Sequence, residues 1–285
     1  MESMGPFTFN GVRSLLGAAA VFPLVMIQMR KEKAVTGAEK SVRLKKTGAV
    51  VLTGGLFCGL AYTAGTTLQQ IGILHTTVGK AGFITTLYII FVPILGIFLK
   101  RKVSGIVWIA AAMAAFGLYL LCMEERLSLT LGDTYIMLCA IAFAVHIMVI
   151  DYFSPKMAGV YLSCIQLFIC GVVSLAAAFI LEVPSLSQLR EGMVPLLYAG
   201  IMSCGVGYTL QIIGQKGMHP AVASLILSME SVVATVSAFL AYKIGFLKTD
   251  QSMTGRQIAG CAIVLAAVLL VQMPAGLFAR KQNKE

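Results

Sequence analysis

The sequence predicts an all-α, polytopic membrane protein. Three observations predict this fold class: 58% of the 285 residues are apolar, only 12% are charged, and the mean hydropathy is +0.89. A water-soluble domain has about 45–50% apolar and about 25% charged residues, so this chain could not cover its apolar surface in water. The excess of Lys and Arg over Asp and Glu gives a formal charge of +10, but most basic residues lie between apolar runs. We therefore interpret the charge as a topology signal and expect no nucleic-acid partner.

Nine apolar runs are long enough to cross a bilayer. A helix needs about 20 residues to span about 30 Å of hydrocarbon, and backbone exposed to lipid must form its hydrogen bonds within the segment. The predicted spans are 5–29, 48–73, 79–99, 103–122, 131–151, 158–181, 192–213, 220–242 and 256–273. Only the connection after the first span is long, so no soluble domain is expected.

The distribution of Lys and Arg predicts the orientation of the spans. The connection after the first span, every second connection after it and the C-terminus carry more than twice as many basic residues as the other side. Cytoplasmic loops are enriched in Lys and Arg. The C-terminus is therefore predicted to be cytoplasmic, and nine spans place the N-terminus outside.

Two parts of the chain are similar to each other. The hexapeptide CGLAYT at 58–63 matches CGVGYT at 204–209, and after a shift of four residues LQQIG at 68–72 matches LQIIG at 210–214. From the span at 48–73 to its match at 192–213 the chain advances five spans, and an odd number predicts that the two copies cross the membrane in opposite directions. Such inverted repeats allow a site near the midplane to open alternately to either side. The second copy begins at 131–151, and its counterpart in the first copy would precede Met1.

Three stretches carry a family resemblance: GPFTFNGVRSLLGA at 5–18, YTAGTTLQQIGILHTTVGKAGFITTLYIIFVPILG at 62–96, and GYTLQIIGQKGMHPAVASLILSMESVVA at 207–234. They resemble the drug/metabolite transporter superfamily, in particular its EamA-type permeases. The resemblance implies a ten-helix fold of two repeats with the first helix missing here. The first, truncated repeat would cover 1–124, the second 131–275, and a cytoplasmic tail 276–285. It also implies a carrier for small metabolites in the plasma (inner) membrane, often an exporter.

The resemblance further implies a central cavity lined mainly by the spans at 48–73, 79–99, 192–213 and 220–242. Glu230 is the strongest candidate within them, because it lies about ten residues into its span and therefore near the midplane. An ionisable group at that depth costs several kcal/mol unless it faces a cavity or a partner. Proton binding and release at Glu230 would couple transport to a pH gradient. The alternative is a structural glutamate that is hydrogen-bonded to a neighbouring helix.

Three candidates lie in the span 79–99. Lys80, at its predicted outer end, either attracts anionic groups at the cavity mouth or extends to the membrane interface. Tyr88 occupies the repeat position of Glu230, and Thr85 lies one turn earlier. Their hydroxyls either contact the solute or belong to the packed core.

Polar side chains within other spans complete the candidate set. Gln69, Gln70 and Gln211 would be costly in contact with lipid, so we expect them to face inward, where they bind either the solute or a neighbouring helix. Arg13 has no acidic residue at i+3 or i+4 within its span. It is expected to pair with the cavity or with the missing helix.

Several other polar and small residues are interpreted as structural. His146 is expected to be a satisfied core histidine and Glu182 an interfacial residue. The stripe Ser224, Ser228, Ser231 and Thr235 and the pairs Gly55/Gly59 and Ser203/Gly207 are expected to pack helices closely. The seven cysteines have no metal or disulfide spacing, and we predict that they are buried apolar residues.

No catalytic or nucleotide-binding motif is present in the sequence, so we predict a secondary transporter rather than an enzyme, without a cofactor or metal. The predicted partners are a small-molecule solute, the lipid bilayer and protons, and a homodimer is compatible with this reading. The alternative is a membrane scaffold or an inactive truncated paralogue that transports nothing.

Overall fold

The computed structural model describes residues 4–34, 40–123, 130–245 and 252–273. In these ranges the secondary structure is helical, without a strand, and nine helical segments are long and apolar enough to cross a membrane. The number of predicted spans is thereby confirmed. The α-helices are α1 (Pro6–Ala34), α2 (Lys40–Ile73), α3 (Val78–Thr86), α4 (Tyr88–Phe98), α5 (Gly105–Cys122), α6 (Leu131–Phe153), α7 (Gly159–Leu181), α8 (Leu186–Glu191), α9 (Met193–Leu197), α10 (Tyr208–Gln215), α11 (Pro220–Leu227), α12 (Met229–Lys243) and α13 (Gly255–Gln272).

The connection after the first span is shorter than the sequence predicts. Helix α1 continues to Ala34 and α2 begins at Lys40, so much of the predicted loop is helical. Hydropathy locates the edge of the apolar run rather than the end of the helix. Lys, Arg and Glu are good helix formers, and they let a helix continue after its apolar run has ended.

The chain divides into two compact units. Unit 1 lies within 1–76 and 130–219 and contains α1, α2 and α6–α10, whereas unit 2 lies within 77–129 and 220–285 and contains α3–α5 and α11–α13. Each unit therefore takes helices from both predicted repeats. The predicted tail at 276–285 lies outside the described residues.

Glycines allow the helices of unit 1 to approach one another closely. A Cβ added at Gly55 would lie 2.3 Å from a methyl carbon of Ile165, and one at Gly59 would lie 2.8 Å from the Cβ of Ile169, both on α7. This confirms the predicted packing role of the Gly55/Gly59 pair. A Cβ on Gly17 of α1 would lie 2.9 Å from the carbonyl oxygen of Gly200.

The span Met193–Gln215 is not a regular α-helix. Its middle part, Tyr198–Gly207, is π-helical and lies between α9 and α10. The predicted packing role of Ser203 and Gly207 is wrong, because both are exposed, and a Cβ at Gly207 would meet only the carbonyl oxygen of Met202 within 4 Å. The wider π-turn changes the angular spacing of the side chains, so residues four apart no longer share one face.

Unit 2 contains a reciprocal glycine contact. Helices α5 and α13 pack along each other, and a Cβ on Gly117 would lie 2.9 Å from the carbonyl oxygen of Gly260, while one on Gly260 would lie 2.6 Å from that of Gly117. Because both obstacles are backbone atoms, neither can rotate away. Without a side chain at these two positions, the backbones of α5 and α13 approach each other closely.

Candidate functional site

Two spans of unit 2 are interrupted at equivalent places. The regular α-helical pattern is interrupted for one residue between α3 and α4, at Leu87, and between α11 and α12, at Ser228. Both residues keep right-handed helical backbone angles, and the N–H of Ser228 still binds the carbonyl oxygen of Ser224 at 3.1 Å. Tyr88 is the first residue of α4 and Glu230 the second residue of α12. Both lie near the middle of their spans, Val78–Phe98 and Pro220–Lys243. The repeat position that links Tyr88 to Glu230 in the sequence is therefore also a shared structural irregularity.

Hydroxyl groups accompany both interruptions. The Oγ1 of Thr86 donates to the carbonyl oxygen of Gly82 at 2.7 Å, and the Oγ of Ser228 donates to that of Leu225 at 2.6 Å. A Ser or Thr hydroxyl that binds the carbonyl of the preceding turn competes with the helical N–H and often bends the helix. At Leu87 the N–H binds the carbonyl oxygen of Ile84, three residues back, at 3.1 Å. These local contacts explain why the helices are distorted at Leu87 and Ser228 although neither residue is proline or glycine.

The carboxylate of Glu230 is the most unusual group at this pair of interruptions. Its side chain is exposed, although it lies within a span, and it forms no hydrogen bond or ion pair with the residues that the structure describes. A structural glutamate bound to a neighbouring helix, the alternative reading, would show such a partner. The described helices therefore leave this carboxylate uncovered.

The other three candidates in unit 2 are buried. Lys80, Thr85 and Tyr88 have exposed fractions of 6%, 8% and 8%. Lys80 lines a cavity enclosed by helices of unit 2, together with Thr77 and Thr235. Lys80 is therefore a buried residue of the cavity wall. Tyr88 and Thr85 are part of the packed interior of the unit.

Arg13 lies in unit 1 and is oriented by its own helix. Its Nε and Nη2 donate to the Oδ1 of Asn10 at 3.2 and 3.0 Å, and its guanidinium lies 5.2 Å from the centre of the Phe9 ring. It has no carboxylate partner among the described residues, and the side chain is partly exposed. A guanidinium within a span is thus held in place by an amide while some of its N–H groups remain available.

Asn10 is a residue that the sequence analysis misses. Its Nδ2 donates to Thr66 at 3.0 Å and to Ser174 at 3.1 Å, so the fully buried amide joins α1 to α2 and α7 and directs its oxygen towards Arg13. The sequence does contain a signal for the contact between Asn10 and Arg13. An amide three residues before an arginine lies on the same face of a helix.

The three glutamine candidates all lie in unit 1 and are half-buried: Gln69 and Gln70 on α2, and Gln211 on α10. The structure thus places the four candidates of unit 1 and the four of unit 2 in separate bodies.

His146 is only partly satisfied, so the prediction of a satisfied core histidine holds for one of its two nitrogens. It is fully buried, and its Nε2 lies 2.9 Å from the Oε1 of Gln166, which also accepts from the thiol of Cys58. The Nδ1 of His146 and the Nε2 of Gln166 have no hydrogen-bond partner among the described residues. Orphaned buried polar atoms are uncommon and indicate a place where a water molecule would fit.

Glu182, which the sequence predicts to be interfacial, has a defined role at the end of its span. Its carboxylate accepts the backbone N–H groups of Phe7 and Thr8, each at 2.8 Å, at the first turn of α1. A glutamate that follows α7 therefore caps α1, which begins 176 residues earlier in the chain. Gly5 makes room for it, since a Cβ there would lie only 2.1 Å from the carboxyl carbon.

Comparison with known proteins shows what the chain resembles. It matches the EamA-like transporter family over residues 1–123 and 130–273. An uncharacterized transporter of Archaeoglobus fulgidus is 26% identical over 280 residues, which cover 96% of this chain and 79% of the relative. The uncharacterized transporter YoaV of Bacillus subtilis is 22% identical over 95% of this chain and 88% of its own length. A solved crystal structure covers 95% of this chain and 90% of its own, with a TM-score of 0.69 and 15% identity, and so shows likeness of fold alone.

Proposed function

The chain belongs to the EamA-like transporter family, and we propose that it is a secondary transporter that moves a small metabolite or drug-like molecule across the plasma membrane by alternating access. The observation that carries the proposal is the pair of local helix distortions in the spans of unit 2, one beside Tyr88 and one beside Glu230. In transporters built from inverted repeats, discontinuous helices near the midplane commonly form the solute and ion sites. We take export as the direction, which the family resemblance favours.

We assign proton coupling to Glu230. An ionisable residue within a membrane span is costly and usually functional, and pairing or a cavity offsets its cost. Glu230 has no partner among the described residues and its side chain is exposed. A carboxylate that exchanges a proton in each cycle must be reachable in this way, whereas a structural carboxylate need not be.

The remaining candidates are proposed to bind the solute. Arg13 has N–H groups beyond those that donate to Asn10, and these can donate to an acceptor oxygen of the solute. The amides of Gln69, Gln70 and Gln211 offer both donors and acceptors within the membrane, and the hydroxyls of Thr85 and Tyr88 lie at the interrupted span. The polar groups are few and the spans largely apolar, as is usual in sites for small molecules.

The test of proton coupling uses the full chain in proteoliposomes. A growth-protection screen against amino acids, nucleobases and toxic amines first supplies a transported solute. We then expect Glu230→Gln to lower transport driven by a pH gradient at least tenfold, because the amide cannot carry a proton. Exchange of labelled for unlabelled solute without a gradient should persist, because solute binding and the conformational change remain.

Glu191→Gln serves as the matched control, since this exposed carboxylate lies on α8 outside the spans. It should transport like the wild type. Full gradient-driven transport by Glu230→Gln would contradict the role in proton coupling. If the variant loses both gradient-driven transport and exchange, Glu230 binds the solute instead of coupling transport to protons.

A further inference from the structure

A cleft of about 540 Å³ lies between α1 and α7 in unit 1, and we call it the α1–α7 cleft. Two large rings line it, Phe22 of α1 and Phe168 of α7, which are 54% and 56% exposed. Ala18, which also lines the cleft, is buried. The other lining residues are Leu15, Ala19, Cys164 and Ile165. None of the described lining residues is charged, so the cleft is an apolar indentation.

The α1–α7 cleft lies within two membrane spans, Pro6–Glu32 and Gly159–Leu181. A water molecule needs two to four polar partners, which these side chains do not offer. Acyl chains are the apolar component of the bilayer at this depth, and the hydrocarbon of one leaflet is about 15 Å thick. Phe22 lies eight residues before Arg30, which corresponds to about 12 Å along α1. An acyl chain that starts beside Arg30 therefore reaches the cleft.

An apolar track connects the α1–α7 cleft to the end of the apolar part of α1. Met26 and Met29 follow Phe22 by four and seven residues and therefore lie on the same face of the helix. Each is 40% exposed. Methionine side chains are flexible and adapt to an irregular apolar partner.

The end of this track is basic. Arg30 and Lys31 follow directly and are exposed, and the carboxylate of Glu32 accepts from the hydroxyl of Tyr161 on α7 at 2.9 Å. The sequence from 30 to 46 contains seven Lys or Arg and two Glu, so its basic residues outnumber its acidic ones by five, whichever of them pair. Basic clusters of this size directly beyond a span attract anionic lipid headgroups.

We propose that the α1–α7 cleft holds one acyl chain of an anionic phospholipid whose headgroup lies at Arg30 and Lys31. An apolar cleft alone would accept any acyl chain, and a basic helix end alone would attract any anion. The two lie about 12 Å apart along one helix and are joined by an apolar track, which matches the layout of a single phospholipid. This site goes beyond the proposed transport function and does not depend on it.

Tryptophan fluorescence can report on the lipid that contacts the cleft. The chain has a single tryptophan, so Trp108→Phe provides a background without one. Phe168→Trp then places the reporter in the α1–α7 cleft. Phe57→Trp is the matched control, because Phe57 is 55% exposed on α2 and, like Phe168, lies nine residues into its span from the predicted cytoplasmic end.

Each full-length variant is reconstituted in mixtures of phosphatidylglycerol and phosphatidylcholine, and one of the two lipids carries brominated acyl chains that quench tryptophan on contact. The ratio of quenching gives the preference for phosphatidylglycerol at each reporter. We expect a preference of about fivefold or more at Phe168→Trp and none at Phe57→Trp. High salt should reduce the preference, because it screens the headgroup contact.

Further variants separate the headgroup contact from the cleft. In the Phe168→Trp background, Arg30→Gln combined with Lys31→Gln should abolish the preference. Lys100→Gln combined with Lys102→Gln, at exposed lysines of unit 2, should leave it unchanged.

Filling the cleft tests the acyl chain itself. Ala19→Leu should lower the preference, because the larger side chain occupies space that the chain needs. Ala19 is exposed, so this substitution does not overpack the interior of the unit.

Three results overturn the proposal. The first is an equal preference at Phe168→Trp and Phe57→Trp, and the second is a preference that survives the loss of both Arg30 and Lys31. The third is a Phe168→Trp fluorescence that neither brominated lipid quenches, which would mean that protein, such as a second copy of the chain, covers the cleft. No transport is measured, so failure of this site leaves the proposed function untouched.

Discussion

At the scale of single residues, the capping of α1 by Glu182 shows how a charged side chain at the end of one span stabilises another. The first turn of a helix leaves backbone N–H groups without intrahelical partners. Glu182 accepts two of them and also the hydroxyl of Thr8 at 2.5 Å. The negative charge is in addition favourable at the positive end of the helix.

We expect Glu182→Gln to lower the free energy of unfolding by about 1–2 kcal/mol, because the charge is lost and one acceptor becomes a donor. The measurement is the thermal midpoint of the purified protein in detergent. Gly5→Ala should lower it too, since the added methyl group displaces the carboxylate.

The control for this prediction is Glu191→Gln, an exposed glutamate of unit 1 that caps no described helix. Its midpoint should equal that of the wild type. A midpoint of Glu182→Gln that also equals the wild type would mean that the cap contributes nothing to stability.

Residue contacts differ in how far the sequence could predict them. The contact between Arg13 and Asn10 is local and follows from helical spacing. The contact of Glu182 with Phe7 joins residues 175 positions apart, and helix periodicity carries no information about such a pair. For Lys80 the sequence left two alternatives, a cavity mouth and the membrane interface, and helix spacing could not decide that the residue is buried.

At the scale of elements, the existence of the nine spans follows from length and hydropathy alone, since only helices satisfy the backbone in lipid. The interruptions at Leu87 and Ser228 do not follow from the sequence in the same way. Neither residue is Gly or Pro, and each break depends on hydrogen bonds that compete locally with the helix. The π-helical part of Met193–Gln215 was unpredicted for the same reason.

The crossing of α5 and α13 gives a prediction about packing. We expect Gly117→Ala to lower the free energy of unfolding by about 1–3 kcal/mol, because the new methyl group meets the backbone of α13 and the two helices must separate. Denaturation followed by circular dichroism measures the effect.

Gly105→Ala is the control for this prediction. Gly105 is the first residue of α5, and nothing lies within 4 Å of a Cβ placed on it. We expect this variant to be as stable as the wild type or slightly more stable. A Gly117→Ala protein that is also as stable as the wild type would show that the close contact is unnecessary.

At the scale of the whole molecule, transport by alternating access depends on repeats of opposite orientation. Each compact unit takes helices from both halves of the chain, and the interruption beside Tyr88 is repeated beside Glu230. Self-similarity in the sequence predicted the repeats. It could not predict how their helices are divided between units, because that depends on contacts between distant parts of the chain.

The labelling of single cysteines tests the opposite orientation most directly. Leu74 and Lys216 are exposed residues in the connections that follow the two matching spans. Cysteine is introduced at one position at a time in a cysteine-free chain, and intact cells are treated with a membrane-impermeant maleimide. We predict that Leu74→Cys is labelled from outside and that Lys216→Cys is labelled only after the membrane is permeabilised. Labelling of both positions from the same side would contradict the inverted repeat and, with it, transport by alternating access of two mirrored halves.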